Sequence, residues 1–214
     1  YLKVNYISKI RKLTIIVPTF NSGVILHNCI NSILEKTNYN VNYDILIVNN
    51  ESFENETLKY LDIVSKNKCV NVIDFPQPFN YSLINNFAAS RVDSDLLLFL
   101  NDDVEVTSEE WLTELATNAS RASIGAVGAK LIYPKGNIQH AGIVLGINGV
   151  AGHIFKGYEK NHNGQMNRIN LTHNVSAVTG ACLCIDHNKF DEVGGFDDEN
   201  LKVAFNDVDL CMKL

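Results

Sequence analysis

Asp95-Leu96-Leu97-Leu98-Phe99-Leu100-Asn101-Asp102-Asp103 is the stretch that decides the fold. Its five consecutive large hydrocarbon residues show no polar face and are too few for a free-standing helix. They read as a strand covered on both sides, as in a parallel sheet. Working outward, the chain repeats the pattern. Leu13-Thr14-Ile15-Ile16-Val17, stopped by Pro18, and Asp44-Ile45-Leu46-Ile47-Val48 are two more buried strands, and residues 70–75 are a third. Between them, apolar residues recur at helical spacing: Ile25, Leu26, Cys29, Ile30, Ile33 and Leu34, then Leu58, Leu61 and Val64, then Ile84, Phe87 and Ala88 within residues 81–91. Ser108 is expected to open a further helix, with Glu110 and Trp111 in its first turn. Regular alternation of strand and helix to about residue 120 predicts a doubly wound α/β sheet.

Beyond residue 120 the texture changes. Residues 124–133, 138–147 and 175–185 read as strands or irregular extended segments, separated by Gly-rich turns and a polar loop over residues 159–168. We expect one domain over residues 1–214, with a nucleotide-binding half (1–120) and a half that holds the second substrate (121–214). No internal repeat is visible.

The 214 residues and 46% hydrophobic content suffice for a sizeable core. A net charge of −6 argues against a nucleic-acid partner, which would want a basic stripe. The one basic cluster, Lys3, Lys9, Arg11 and Lys12, reads as a solvated lead-in to the first strand. No apolar run approaches the ~20 residues of a membrane helix and no signal peptide opens the chain, so any membrane contact is expected to be peripheral, at the inner face. The first residue is Tyr1, as in a piece of a longer polypeptide. Five cysteines without a CxxC pair read as reduced core thiols, which suits a cytoplasmic setting. Cys182 and Cys184 would share a strand face, but without a nearby His they make a poor metal site.

Ligands of open α/β sheets bind beyond the carboxyl ends of the strands. Three otherwise apolar strands end in polar clusters: Pro18-Thr19-Phe20-Asn21, Asn49-Asn50-Glu51-Ser52 and Asn101-Asp102-Asp103. In a parallel sheet all three fall on one rim. Two adjacent carboxylates near a buried strand end call for a counter-charge. Mg²⁺ or Mn²⁺, shared with a diphosphate, supplies one. If Ser108 caps the next helix, Asp102 and Asp103 have no capping task. Neither a P-loop nor a G-x-G-x-x-G follows the first strand, Asn101 stands where a phosphatase-type nucleophile would need Asp, and Asn21-Ser22-Gly23-Val24 is not the Gly-rich, Arg-containing loop of a pyrophosphorylase.

These residues resemble the family 2 glycosyltransferases of the GT-A fold, from about Leu13 onward. Pro18 to Asn21 resembles the family's P-x-[FY]-N strand end, and Val48 to Ser52 its V-D-[DN]-x-S turn. Asn80-Tyr81-Ser82-Leu83-Ile84-Asn85-Asn86 has its N-x-x-x-N spacing, and Asn101-Asp102-Asp103 is similar to D-x-D. Thr179-Gly180-Ala181-Cys182 resembles the small-residue acceptor loop, Gly194-Gly195-Phe196-Asp197 follows, and Asn206-Asp207-Val208-Asp209-Leu210 resembles the E-D element. The resemblance implies a GT-A, Rossmann-like mixed sheet, mostly parallel and flanked by helices. It implies that Pro18, Thr19, Asn21, Asn49, Asn85, Asn101 and Asp102 bind a nucleoside-diphosphate sugar and that Asp103 binds Mn²⁺ or Mg²⁺. Thr179, Gly180 and Ala181 would face a glycan or glycoprotein acceptor. Asp207 would be the general base of a single, inverting displacement. Relatives continue through a strand and a His that joins the metal site, so part of that site is expected to be missing here.

Local reasoning supports Asp207. A helix starting near Asn206, capped by Asn206 with Asp209 completing a capping box, would leave Asp207 at the positive helix end, a setting that suits a base. Asn49 for Asp and Asn101 for the first acid of D-x-D are departures. Asn49 and the part of the metal site expected to be missing keep a second function in view, a non-catalytic module that holds a sugar nucleotide or a partner protein. His140 and His153 read either as hydrogen-bonded structural residues or as the lining of a sugar pocket. Trp111 reads as helix core.

Overall fold

The computed structural model describes residues 11–38 and 42–214. Lys3 and Lys9 of the basic lead-in lie outside the described residues. The alternating half runs β1 (Leu13–Thr19), α1 (Gly23–Lys36), β2 (Tyr43–Asn49), α2 (Asn55–Val64), β3 (Val70–Asp74), α3 (Tyr81–Ala89), β4 (Leu96–Leu100) and α4 (Trp111–Ala119). Short strands follow: β5 (Ala126–Gly128), β6 (Leu131–Ile132), β7 (Ile138–His140), β8 (Ile143–Leu145), β9 (Ala151–His153) and β10 (Cys182–Asp186), then α5 (His187–Glu192) and α6 (Asn206–Lys213).

Six strands form one sheet in the order β3-β2-β1-β4-β10-β5. The first four are parallel, and β10 runs antiparallel to β4 and β5 on either side. The sheet is therefore mixed and mostly parallel, with strands from both halves of the chain. Successive residues of the apolar runs enter two different cores. Ile15, Val17, Ile45, Ile47, Leu96, Leu98 and Leu100 pack with Leu26, Ile30 and Ile33 of α1 and Leu112 of α4. Ile16, Leu46, Val48, Leu97 and Phe99 pack on the other face with Ile84 and Ala88 of α3, Phe190 of α5 and Leu210 of α6. Full burial of each such side chain is worth about 1.5–3 kcal/mol, which is why both faces are apolar. Cys29, Cys182 and Cys184 are buried, and all five cysteines are free thiols.

Two expectations need correction. Pro18 does not stop β1, which continues to Thr19. Pairing of β1 with β4 ends at Ile16, so the missing N–H of Pro18 falls beyond that ladder. Ser108 is not the cap of α4; that helix starts at Trp111, and Ser108 instead accepts the Trp111 N–H through its carbonyl. Of residues 175–185, read as strand or irregular extended chain, only the last four form a strand, because residues 175–181 are drawn into a loop hydrogen-bonded to β8 and to Asn101. Among the described residues no helix is long and apolar enough to cross a membrane.

Candidate active site

The parallel register puts Thr19, Asn49 and Asp74 side by side at the carboxyl ends of β1, β2 and β3. Asn101, Asp102 and Asp103 follow β4 on the same rim. The Thr19 hydroxyl donates to Asp102 Oδ2 at 2.8 Å, closing the gap between β1 and the acidic turn. Burial raises the Asp102 carboxyl above its ordinary range, against the pull of hydroxyl hydrogen bonds from Ser22 and Thr19. Asp103 is exposed.

The β1 and β2 loops are knitted together by their own side chains. Asn21, held at a positive φ of 48°, accepts the Phe53 and Glu54 N–H groups with its Oδ1, at 2.9 and 3.1 Å. Its own N–H donates to the Ser52 hydroxyl. Asn49 accepts the Ser52 N–H and donates its amide to Asp74 Oδ1 at 2.8 Å. Asn21 and Asn49 thus shape the rim as well as lying on it. Sequence reasoning passed over Asp74, although it closes a strand of this same sheet. It also passed over Phe53, whose exposed ring meets that of Phe20 edge to face at 6.0 Å, an apolar ledge for a planar group.

Asn85 lies beneath the surface of the rim, next to Tyr81. It is completely buried in α3, its amide donating to the Tyr81 carbonyl and its Oδ1 without a hydrogen-bond partner. The polar face of α3 instead grips the chain that leads to α6. Asn80 caps α3 and donates to the Asp198 carbonyl, and Ser82 donates to the Leu201 carbonyl. Asn86 exchanges hydrogen bonds with the backbone of Phe196 and donates to the Asp198 carboxylate.

That grip delivers Asp207 to the rim. The expected capping box at α6 does not form. Phe205, at a φ of 61°, precedes the helix without a side-chain cap; Asn206 donates to the Ser82 hydroxyl; and Asp209 pairs with Lys213 at 2.7 Å. A tertiary partner takes Asn206, and an i,i+4 ion pair within the helix takes Asp209. Asp207 accepts the Gly180 N–H at 3.0 Å and the Val208 N–H at 2.8 Å. The Tyr81 hydroxyl donates to the Gly180 carbonyl at 2.8 Å, and burial together with the Asp207 charge keeps that phenol protonated. One residue on, the Ala181 carbonyl accepts the Asn101 N–H at 3.1 Å. The loop Thr179–Gly180–Ala181 is therefore bonded to Asp207 on one side and to the acidic turn on the other.

Among the described residues no three His, Cys, Asp or Glu side chains converge as a metal cage. A hard divalent cation still fits the turn. Among the described residues no hydrogen bond or ion pair engages the Asp103 carboxylate, and Mg²⁺ or Mn²⁺ commonly takes one or two carboxylates and fills its shell with phosphate and water oxygens. Trp111 donates its indole N–H to the Thr37 hydroxyl and packs partly buried against the core, away from the rim. A cavity of about 790 Å³ between α4, β5 and residues 169–178 is lined by none of Thr19, Asn49, Asp102, Asp103 or Asp207.

Residues 14–194 match the family model described as Glycosyl transferase family 2. The chain is 43% identical over 203 residues to the uncharacterized protein y4gI of Sinorhizobium fredii, covering 94% of this chain and 22% of that protein. It is 39% identical over 204 residues to the O-antigen biosynthesis protein RfbC of Myxococcus xanthus, covering 95% and 16%. It thus spans less than a quarter of the length of these two relatives. Among solved structures it is similar to the mannosyltransferase PcManGT of Pyrobaculum calidifontis in complex with GDP-Man and Mn²⁺, with a TM-score of 0.67, 12% identity and coverage of 95% and 51%. It is also similar to GalNAc-T7 with UDP, GalNAc and Mn²⁺, with a TM-score of 0.77, 16% identity and coverage of 97% and 41%. At those identities the structures speak for the fold, and the sequence matches speak for the family. The chain belongs to glycosyl transferase family 2 and carries its GT-A fold.

Proposed function

We propose that this chain transfers a sugar, with inversion, from a nucleoside-diphosphate sugar to a hydroxyl of a glycan or glycoprotein acceptor, with Mn²⁺ or Mg²⁺ held at Asp103. Residues 1–120 would hold the donor and residues 121–214 the acceptor. One observation carries the reading. A continuous set of hydrogen bonds joins Thr19 and Asp102, then Asn101 and Ala181, then Gly180 and Asp207, so donor turn and candidate base form one unit. The similar structures that hold a sugar nucleotide or its parts with Mn²⁺ support the choice of donor and ion.

In this reading the base and ribose lie along Pro18, Thr19, Asn21 and Asn49, with the Phe20–Phe53 ledge beneath. The metal, when bound, stabilises charge on the departing diphosphate. Gly180 N–H and Val208 N–H fix the Asp207 carboxylate. Asp207 takes the proton of the acceptor hydroxyl as its oxygen forms a bond to the anomeric carbon and the bond to the diphosphate breaks.

The test is a panel of UDP-, dTDP- and GDP-sugars, read by thermal stabilisation with Mn²⁺ and by release of nucleoside diphosphate. Stabilisation by one base class, with release that drops in Asp207→Asn, supports the enzyme. Donor binding with no release in either protein overturns it in favour of a sugar-nucleotide-binding module.

A further inference from the structure

Beside Asp207 lies a second, smaller pocket of about 260 Å³, lined by Ile143, Gly152, His153, Phe205, Asp207 and Val208 among others. Its outer wall is the β8–β9 hairpin, in which Ile143 pairs with His153. The hairpin is anchored: the Ile143 N–H donates to the Ala177 carbonyl at 2.9 Å, and Ile143, Ala177 and Val208 form a small apolar cluster. The wall is therefore fixed relative to both the acceptor loop and the first turn of α6. Gly142, just before β8, sits at a φ of 116°, and a Cβ there would run into Val175, so close approach of the two segments depends on that glycine.

His153 is the polar group of this wall. Its Nδ1 lies 2.9 Å from Nδ1 of His140, whose ring stands nearly perpendicular to it at 5.0 Å. His140 is 1% exposed, and burial, with His153 beside it, pushes its pKa down to about 3, so it stays neutral. A single proton is then shared between the two Nδ1 atoms, and the contact locks the His153 ring. Nε2 is the ring nitrogen left to the pocket, and no hydrogen bond engages it among the described residues. An ordered imidazole held from behind by a buried partner, with its outer nitrogen unengaged beside a carboxylate, is poised for a ligand that carries hydroxyl groups.

We propose that His153 is an acceptor-positioning residue: Nε2 hydrogen-bonds one hydroxyl of a polyhydroxylated acceptor while Asp207 engages the hydroxyl that reacts. This rests on the glycosyltransferase reading above. His140 acts one step removed, by fixing the ring.

Two amides separate a binding role from a scaffolding one. In His153→Gln the amide reaches the position of Nε2, whereas in His153→Asn it reaches that of Nδ1. Both are assayed in the full chain with the donor selected above, for transfer to water and to a panel of methyl hexopyranosides. The account predicts that His153→Asn raises the methyl glycoside KM about tenfold or more, the cost of one lost hydrogen bond to substrate, a larger change than any in donor KM. His153→Gln should keep most of the wild-type acceptor KM. A wild-type-like Asn variant beside a defective Gln variant would overturn the proposal, because only the His140 contact would then matter. Imidazole ¹⁵N signals of unmutated protein provide a reading that does not depend on how the variants fold. Methyl glycoside should shift His153 Nε2; intact donor hydrolysis with no glycoside shifting that signal overturns the proposal alone. Absence of donor hydrolysis in the wild type overturns the glycosyltransferase reading, and this one with it.

Discussion

Asp103 and Asp207 lie on opposite sides of the loop at residues 179–181, so substitutions should separate their tasks. Asp103→Asn is expected to abolish the part of donor stabilisation that depends on Mn²⁺, measured as Tm with and without the ion, while metal-free stability stays within about 0.5 kcal/mol, as usual for an exposed side chain. Asp207→Asn should leave donor-induced stabilisation in place and lower turnover by about 10²–10⁴, the range for a lost general base. Gly180 is a sharper steric test. A Cβ there would sit 3.1 Å from the Tyr81 hydroxyl and 3.6 Å from Asp207 Cβ. Gly180→Ala should therefore slow turnover with little change in Tm; normal turnover would show that the loop has room to give. His140 sets a pH slope. Its folded pKa is held near about 3 by burial and His153, while the unfolded chain takes up that proton near ~6.5. Between those values the unfolded state binds more protons, so this contribution to stability is lost as pH falls through the window. His140→Gln should flatten that limb of a Tm-versus-pH curve.

At the scale of elements, α3 is the beam on which the segment leading to Asp207 hangs. Its Asn80, Ser82 and Asn86 hold residues 196–201, and those residues lead into Asp207. Asn86→Ala would leave the Phe196 N–H and carbonyl without their partners and is expected to cost about 2–4 kcal/mol, measured by urea unfolding, with turnover falling alongside. The apolar spacing in the sequence located α3 but not this duty, since the resemblance offered Asn85 for the donor. The neighbouring asparagines work through partners more than a hundred residues away. Caps misled as well: Ser108 and Asn206 are good capping residues locally, yet α4 begins later and Asn206 is taken by the distant Ser82. The long apolar strands were legible because burial on both faces leaves no polar residue in them. Strands of two or three residues such as β6 and β8 carry too little pattern, and distant pairing decides them.

Across the whole molecule, what the sequence disclosed best was convergence. Three polar clusters after three buried strands do share one rim, because β1, β2 and β4 run parallel and adjacent. What it could not disclose was how the second half reaches that rim, through β10 beside β4 and the Asn101–Ala181 hydrogen bond. The central claim, proposed above, is that a divalent ion bound with the nucleoside diphosphate sits at Asp103, beside the loop at residues 179–181. The most direct measurement is paramagnetic broadening of backbone amide signals by Mn²⁺ in the presence of UDP, dTDP or GDP. The account predicts broadening centred on residues 101–104 that reaches 19–21 and 179–181, and that vanishes in Asp103→Asn. Broadening centred elsewhere, for instance on the exposed acids Asp191 and Glu192, and unchanged in that variant, would contradict it.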